Sequence, residues 1–162
     1  MSQARHTLLR GVNLLEGPDR PQRLADVRFA DGRILAIDGQ TAADPGVPEL
    51  DAGDLWLGPA LVDPHSVLED PLTGRGETLS SLAAAAALGG YGTVALLPWA
   101  HRWRDRAETL QLHWPEPLNL QLWGSFTLGG EDRELAEHEQ LLRAGAVGLA
   151  SGPVLPASAL LE

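Results

Sequence analysis

The sequence predicts an α/β protein: a small β-sandwich-like unit over residues 1–57, then over 58–162 the first βα units of an incomplete TIM-type (β/α)8 barrel. Short apolar runs separated by turn signals make up the first segment, and after Leu57 the pattern changes to alternating strand and helix. That alternation argues for parallel strands joined by crossovers. Composition agrees with a folded chain: 44% of residues are hydrophobic and 21% charged, enough apolar material to bury a core.

In the first unit TLLRGVNLL, LADVRFA and RILAI read as strands. Asp31-Gly32 lies between the last two, and it signals a hairpin because a type I′ turn needs positive φ at both central residues. TAADPGVPEL is a Pro- and Gly-rich loop, and LWL and PALVD beyond it are short runs suited to strands.

In the second unit ALVD begins the series as a strand. Thr78 to Leu88 is an alanine-rich helix ended by Gly89 and Gly90, and Thr93 to Leu97 is a strand that Pro98 stops. His101 to His113 is predicted helical, with Pro115 and Pro117 closing it, and Leu118 to Trp123 alternates as a strand does. Glu131 to Ala144 is the clearest helix: three acids among its first four residues suit the positive end of the dipole, and Gly145 is a stop. Ala146 to Ala150 is a further strand, and PASALLE begins a helix. About four strands and three helices follow Ala60, whereas a complete barrel takes about 250 residues, so the chain is expected to stop partway round with parallel edges to cover.

Twelve Lys and Arg against 22 Asp and Glu give a net charge of −10, a surface that repels nucleic acid and anionic membranes. With no cysteine, disulfides, zinc–thiolate sites and a cysteine nucleophile are excluded. The start MSQARHTLLRGV has no signal-peptide h-region, and serines and glycines interrupt the apolar stretch from Leu79 to Leu97. A cytoplasmic protein with neither a membrane nor a nucleic-acid partner is the expectation.

PALVDPHSVLEDP resembles the dihydroorotase signature, in which Pro-Gly and an apolar pair precede Asp-x-His-x-His-x-Arg. Pro59, Leu61, Val62, Asp63, Pro64, His65, Leu68 and Pro71 occupy the matching places. GETLSSLAAAAALGGYGTVALLP is similar to that family's Glu-Thr, alanine-rich helix, Gly-Gly, Thr-Val and apolar-Pro series, and LLRAGAVGLASGPV to its Ala-Gly-Ala-Val segment. The resemblance runs from about residue 8 to 155 in one consistent order. It implies an amidohydrolase barrel acting in pyrimidine biosynthesis, where dihydroorotate and carbamoyl aspartate are interconverted. It also implies one or two zinc ions, which polarise the ring carbonyl and make hydroxide available near neutral pH, and a proton-moving aspartate on the last strand.

Departures from that pattern fall on the chemistry. Two histidines spaced i, i+2 on a strand point to one face and reach one metal, but the second position here is Val67. His65 and Asp63 are the residual metal-site candidates, and alone they cannot hold zinc tightly. Where the resemblance places an arginine for the substrate carboxylate the chain has Glu69, which reverses the charge. Where it places a carboxylate-binding asparagine, within Met-Pro-Asn-Thr, the chain reads Leu97-Pro98-Trp99-Ala100. On the third strand, Leu149-Ala150-Ser151-Gly152 replaces a carboxylated lysine or an aspartate-rich segment. The remaining ligands implied by the family have no counterpart within 162 residues, so no residue here is assigned as catalytic.

The other candidates read as structural. His101 with Arg102, Arg104 and Arg106 suits a solvated helix face, and His6, His113 and His138 are isolated from other ligand types. Trp103, Trp114 and Trp123 read as core or interface anchors. Gly89-Gly90-Tyr91-Gly92 lacks the context of a phosphate loop. Three functional readings follow: a cyclic amidohydrolase homologue impaired or inactive as the chain stands, a non-catalytic partner of aspartate transcarbamoylase or of itself, and a truncated fragment. Retained glycines and apolar periodicity beside lost chemical residues motivate the second.

Overall fold

The computed structural model describes residues 6–43, 45–68, 77–100, 102–112, 118–152 and 160. The chain divides into two compact units, Met1–Pro59 and Ala60–Glu162.

The first unit is a sheet of five strands: β1 (His6–Leu14), β2 (Arg23–Ala30), β3 (Arg33–Asp38), β4 (Glu49–Asp51) and β5 (Trp56–Leu57). Their order is β3-β2-β1-β4, with β5 also on β1. The hairpin pairs are antiparallel, whereas β4 and β5 run parallel to β1. Asp31 and Gly32 both take positive φ, 49° and 73°, as the predicted tight turn requires. In β1 the pairing shifts between Leu9 and Val12, and Gly11 there has φ 64°, which makes the bulge a place for glycine.

Val12, Val27 and Ala52 form the buried centre of this sheet, with Leu9, Phe29, Ile37 and Leu57 against them. The opposite face carries Leu24 and Trp56, both paired to Asn13 and 63% and 59% exposed. Among the described residues this is one sheet, without the second layer of a sandwich.

In the second unit β6 (Leu61–Ser66), β7 (Tyr91–Leu96) and β8 (Asn119–Leu122) form a parallel sheet in that order. β9 (Gly124–Ser125) pairs in parallel with β10 (Leu149–Ala150). Backbone bonds from Val147 to the Leu122 carbonyl and from Gly124 to that of Gly148, each 2.9 Å, carry the ladder across. The array therefore reads β6, β7, β8 with β9, then β10, and no closure into a barrel is seen among the described residues.

Helix α1 (Leu79–Leu88) is the crossover from β6 to β7. Thr78 caps it by accepting from the Ser81 amide, Ser81 returns a bond to the Thr78 amide, and Gly89 ends it with Gly90 at φ 79°. Val94, Leu96, Leu122 and Leu141 are the centre of this unit's core.

Two predicted helices are corrected. Between His101 and His113, themselves outside the described residues, the only helical element described is a 3-10 turn at Ala107–Leu110. Arg104, expected on a solvated face, is 4% exposed, and its guanidinium donates to the Leu97 carbonyl at 2.6 Å. Pinning Arg104 inward draws this segment into a loop against the end of β7. The Glu131–Ala144 helix is only α2 (His138–Arg143). Asp132 has φ 56° and exchanges bonds with the Thr127 hydroxyl, while Ala136 donates back to Phe126. Residues 131–136 thus fold onto the strand end instead of entering a helix. No helix among the described residues is long and apolar enough to cross a membrane.

Candidate functional site

In α/β proteins, ligand sites form at the carboxyl ends of parallel strands, and the candidate residues sit there. Asp63 and His65 are at the end of β6. Asp63 is half-buried, and its carboxylate is engaged at both oxygens: Oδ1 accepts from the His65 amide at 3.0 Å and Oδ2 from the Ser66 hydroxyl at 2.5 Å. This ties the strand end into a local turn.

His65 is exposed, and its imidazole lies tilted on the indole of Trp123 with centroids 5.4 Å apart and planes at 37°. Trp123, just beyond β8, donates its indole N–H to the Pro64 carbonyl at 2.8 Å. Val67 is 40% exposed and has no lone pair to offer, and Glu69 lies outside the described residues. Trp99, just beyond β7, is half-buried and donates its indole N–H to the Ser151 carbonyl at 2.9 Å.

The structure therefore joins Asp63 to His65, and Trp99 to Ser151, the latter two standing where the resemblance places substrate and metal groups. It adds Trp123, which the sequence marked only as an anchor. Zinc in proteins is held by three or four nitrogen, oxygen or sulfur ligands. Among the described residues no group of three or more His, Cys, Asp or Glu side chains could hold a metal ion. One imidazole stacked on an indole, beside a carboxylate engaged at both oxygens, does not fit that ion.

Other polar groups nearby serve the scaffold. The Arg104 carbonyl accepts from the Ser125 amide at 2.7 Å, so this residue holds β9 as well as β7. Arg102 and Arg104 share a cavity of about 630 Å³ with Glu77 and Glu108, a lining whose charges balance. His138 places a ring nitrogen 2.7 Å from the Phe126 carbonyl and packs on that residue's ring, which is a structural role.

No protein-family model matches the chain. It is 32% identical over 152 residues to a dihydroorotase of Geobacter sp. (strain M21), an alignment covering 88% of this chain and 35% of the relative. The chain is a distant homologue of the N-terminal third of dihydroorotases. It spans about a third of the length of the curated relatives it matches.

The L-hydantoinase of Arthrobacter aurescens has the same fold over 96% of this chain and 36% of its own, with a TM-score of 0.70 and 21% identity. An N-acyl-D-glutamate deacylase from Bordetella bronchiseptica, solved with zinc and a phosphonate inhibitor, superposes over 96% of this chain and 40% of its own, with a TM-score of 0.56 and 18% identity. Both likenesses concern architecture.

Proposed function

We propose that the chain is the first part of a dihydroorotase-type (β/α)8 barrel that no longer performs cyclic-amide chemistry and serves as a non-catalytic, protein-binding element. The observation that carries this reading is the end of β6, where the surviving histidine and aspartate are both committed to local contacts. Without the second imidazole, a metal loses a primary ligand, a larger change than the second-sphere losses that already cost roughly 10- to 100-fold. Glu69 in place of an arginine would put like charges together against an anionic ring, which costs several kcal/mol.

Metal analysis of the purified chain and an absorbance assay with dihydroorotate test this. The expected result is no stoichiometric zinc and no turnover. About one zinc per chain together with consumption of dihydroorotate would overturn it.

A protein-binding role is supported by the apolar side chains of Leu61 and Val62 on β6, which are 54% and 59% exposed. Aspartate transcarbamoylase, for which non-catalytic dihydroorotase-like proteins serve as structural partners, is the partner we propose, with self-association as the other outcome. Co-expression followed by sizing chromatography decides: co-elution supports the assignment, and separate elution removes it.

A further inference from the structure

Two tryptophans at the strand ends are bonded to main-chain carbonyls at the ends of other strands. Trp123 reaches from the end of β8 to the Pro64 carbonyl at the end of β6, and Trp99 reaches from the end of β7 to the Ser151 carbonyl just beyond β10. In the strand order β6, β7, β8 with β9, β10, each indole passes over one intervening strand, so the two bonds interleave across four strand ends.

The Trp123 indole also lies on a glycine: a Cβ on Gly148 would come within 2.5 Å of its ring. That distance is below any tolerated contact, so the ring occupies the space that a side chain at position 148 would otherwise fill.

We infer that the strand ends of this chain are occluded as well as stripped: the Trp99 and Trp123 indoles lace them shut, and Trp123 holds the His65 imidazole against its own ring. Two consequences separate this from simple ligand loss. Restoring the missing histidine alone leaves the site closed. Removing the indole at position 123 opens it. The inference rests on the reading that the strand ends no longer hold zinc, and the unmodified chain tests that reading independently.

The experiment titrates zinc, with cobalt(II) as the spectroscopic probe, into the full chain, V67H, and V67H combined with W123A. The expected result is at least tenfold tighter zinc binding by the double variant than by V67H, with cobalt ligand-field absorption in the double variant alone. Equal affinity in the two variants, including no binding by either, overturns the occlusion and leaves the functional proposal standing. Tight zinc binding by the unmodified chain overturns both.

A second measurement keeps the inference testable if the double variant does not fold. In the W123L chain the His65 ring-proton resonances should move downfield as the ring current of the indole is lost. Unchanged resonances in a folded W123L chain would show that the stacking does not exist in solution.

Discussion

Replacing Asp26 with asparagine probes the buried carboxylate of the N-terminal sheet. Its carboxylate, 8% exposed, accepts from the amides of Gly11 and Thr41, each at 2.9 Å, and pairs with the Arg10 guanidinium at 2.7 Å. Those two backbone bonds come first among the causes that hold its pKa below the ordinary aspartate range, and the Arg10 bond adds to them against a partial offset from burial. Asparagine keeps the shape but only one acceptor oxygen, so its NH2 must face one of the two backbone donors. A buried N–H left without an acceptor costs about 1–3 kcal/mol. Arg10 also loses one partner, but its side chain is 27% exposed and it keeps Glu49, so that part is small. The total expected is about 2–4 kcal/mol, read by urea unfolding at pH 7 and by faster amide exchange at Gly11 and Thr41.

The pH dependence has a fixed sign. A carboxylate whose pKa is lower folded than unfolded contributes its stability above the unfolded value and loses it as pH falls through the folded one. The native chain should therefore weaken below about pH 4, and the D26N chain should weaken less over that window. Destabilisation under about 0.5 kcal/mol at pH 7, with exchange at both amides unchanged, would refute the reading that this carboxylate holds the Gly11 and Thr41 amides.

Two further substitutions test the second unit. Leu141, fully buried on α2, should cost about 2–5 kcal/mol as alanine, measured by urea unfolding, because a cavity opens in the main core. G148A should cost about 1–3 kcal/mol by forcing the Trp123 ring aside, with a shift in tryptophan emission as that indole leaves the Pro64 carbonyl.

Much of the framework was legible because local signals and tertiary structure agree. Short apolar runs marked β1 to β3, Asp31-Gly32 marked the turn between β2 and β3, and the glycine pair after Leu88 marked the end of α1. The failures have one physical cause. The acids from Glu131 onward look like the first turn of a helix, yet Gly129, Gly130 and Asp132 all adopt positive φ and Leu135 bridges to Thr127. Pairing back onto the end of β9 there outweighs a helix preference worth only tenths of a kcal/mol per residue. Arg104 failed for a related reason: its acceptor is a backbone carbonyl, which leaves no trace in residue identity.

The candidate site divides along the same line. Val67, Glu69 and Trp99 mark the departure from the dihydroorotase pattern by residue type alone, which is the basis of the proposed loss of chemistry. What took its place does not, since the indole bonds join positions 59 and 52 residues apart and end on main-chain oxygens.

A reactive site keeps polar groups unpaired and aimed at a ligand, which costs stability, and mutations that satisfy those groups tend to exchange function for stability. Here the carboxylate of Asp63 and the carbonyls of Pro64 and Ser151 are bonded within the chain. Strand ends with their donors and acceptors engaged in this way favour a fixed scaffold over a binding cleft. On the proposed reading, building a metal site here would require breaking favourable contacts as well as adding ligands, so a histidine at position 67 alone faces a barrier that ligand counting does not reveal.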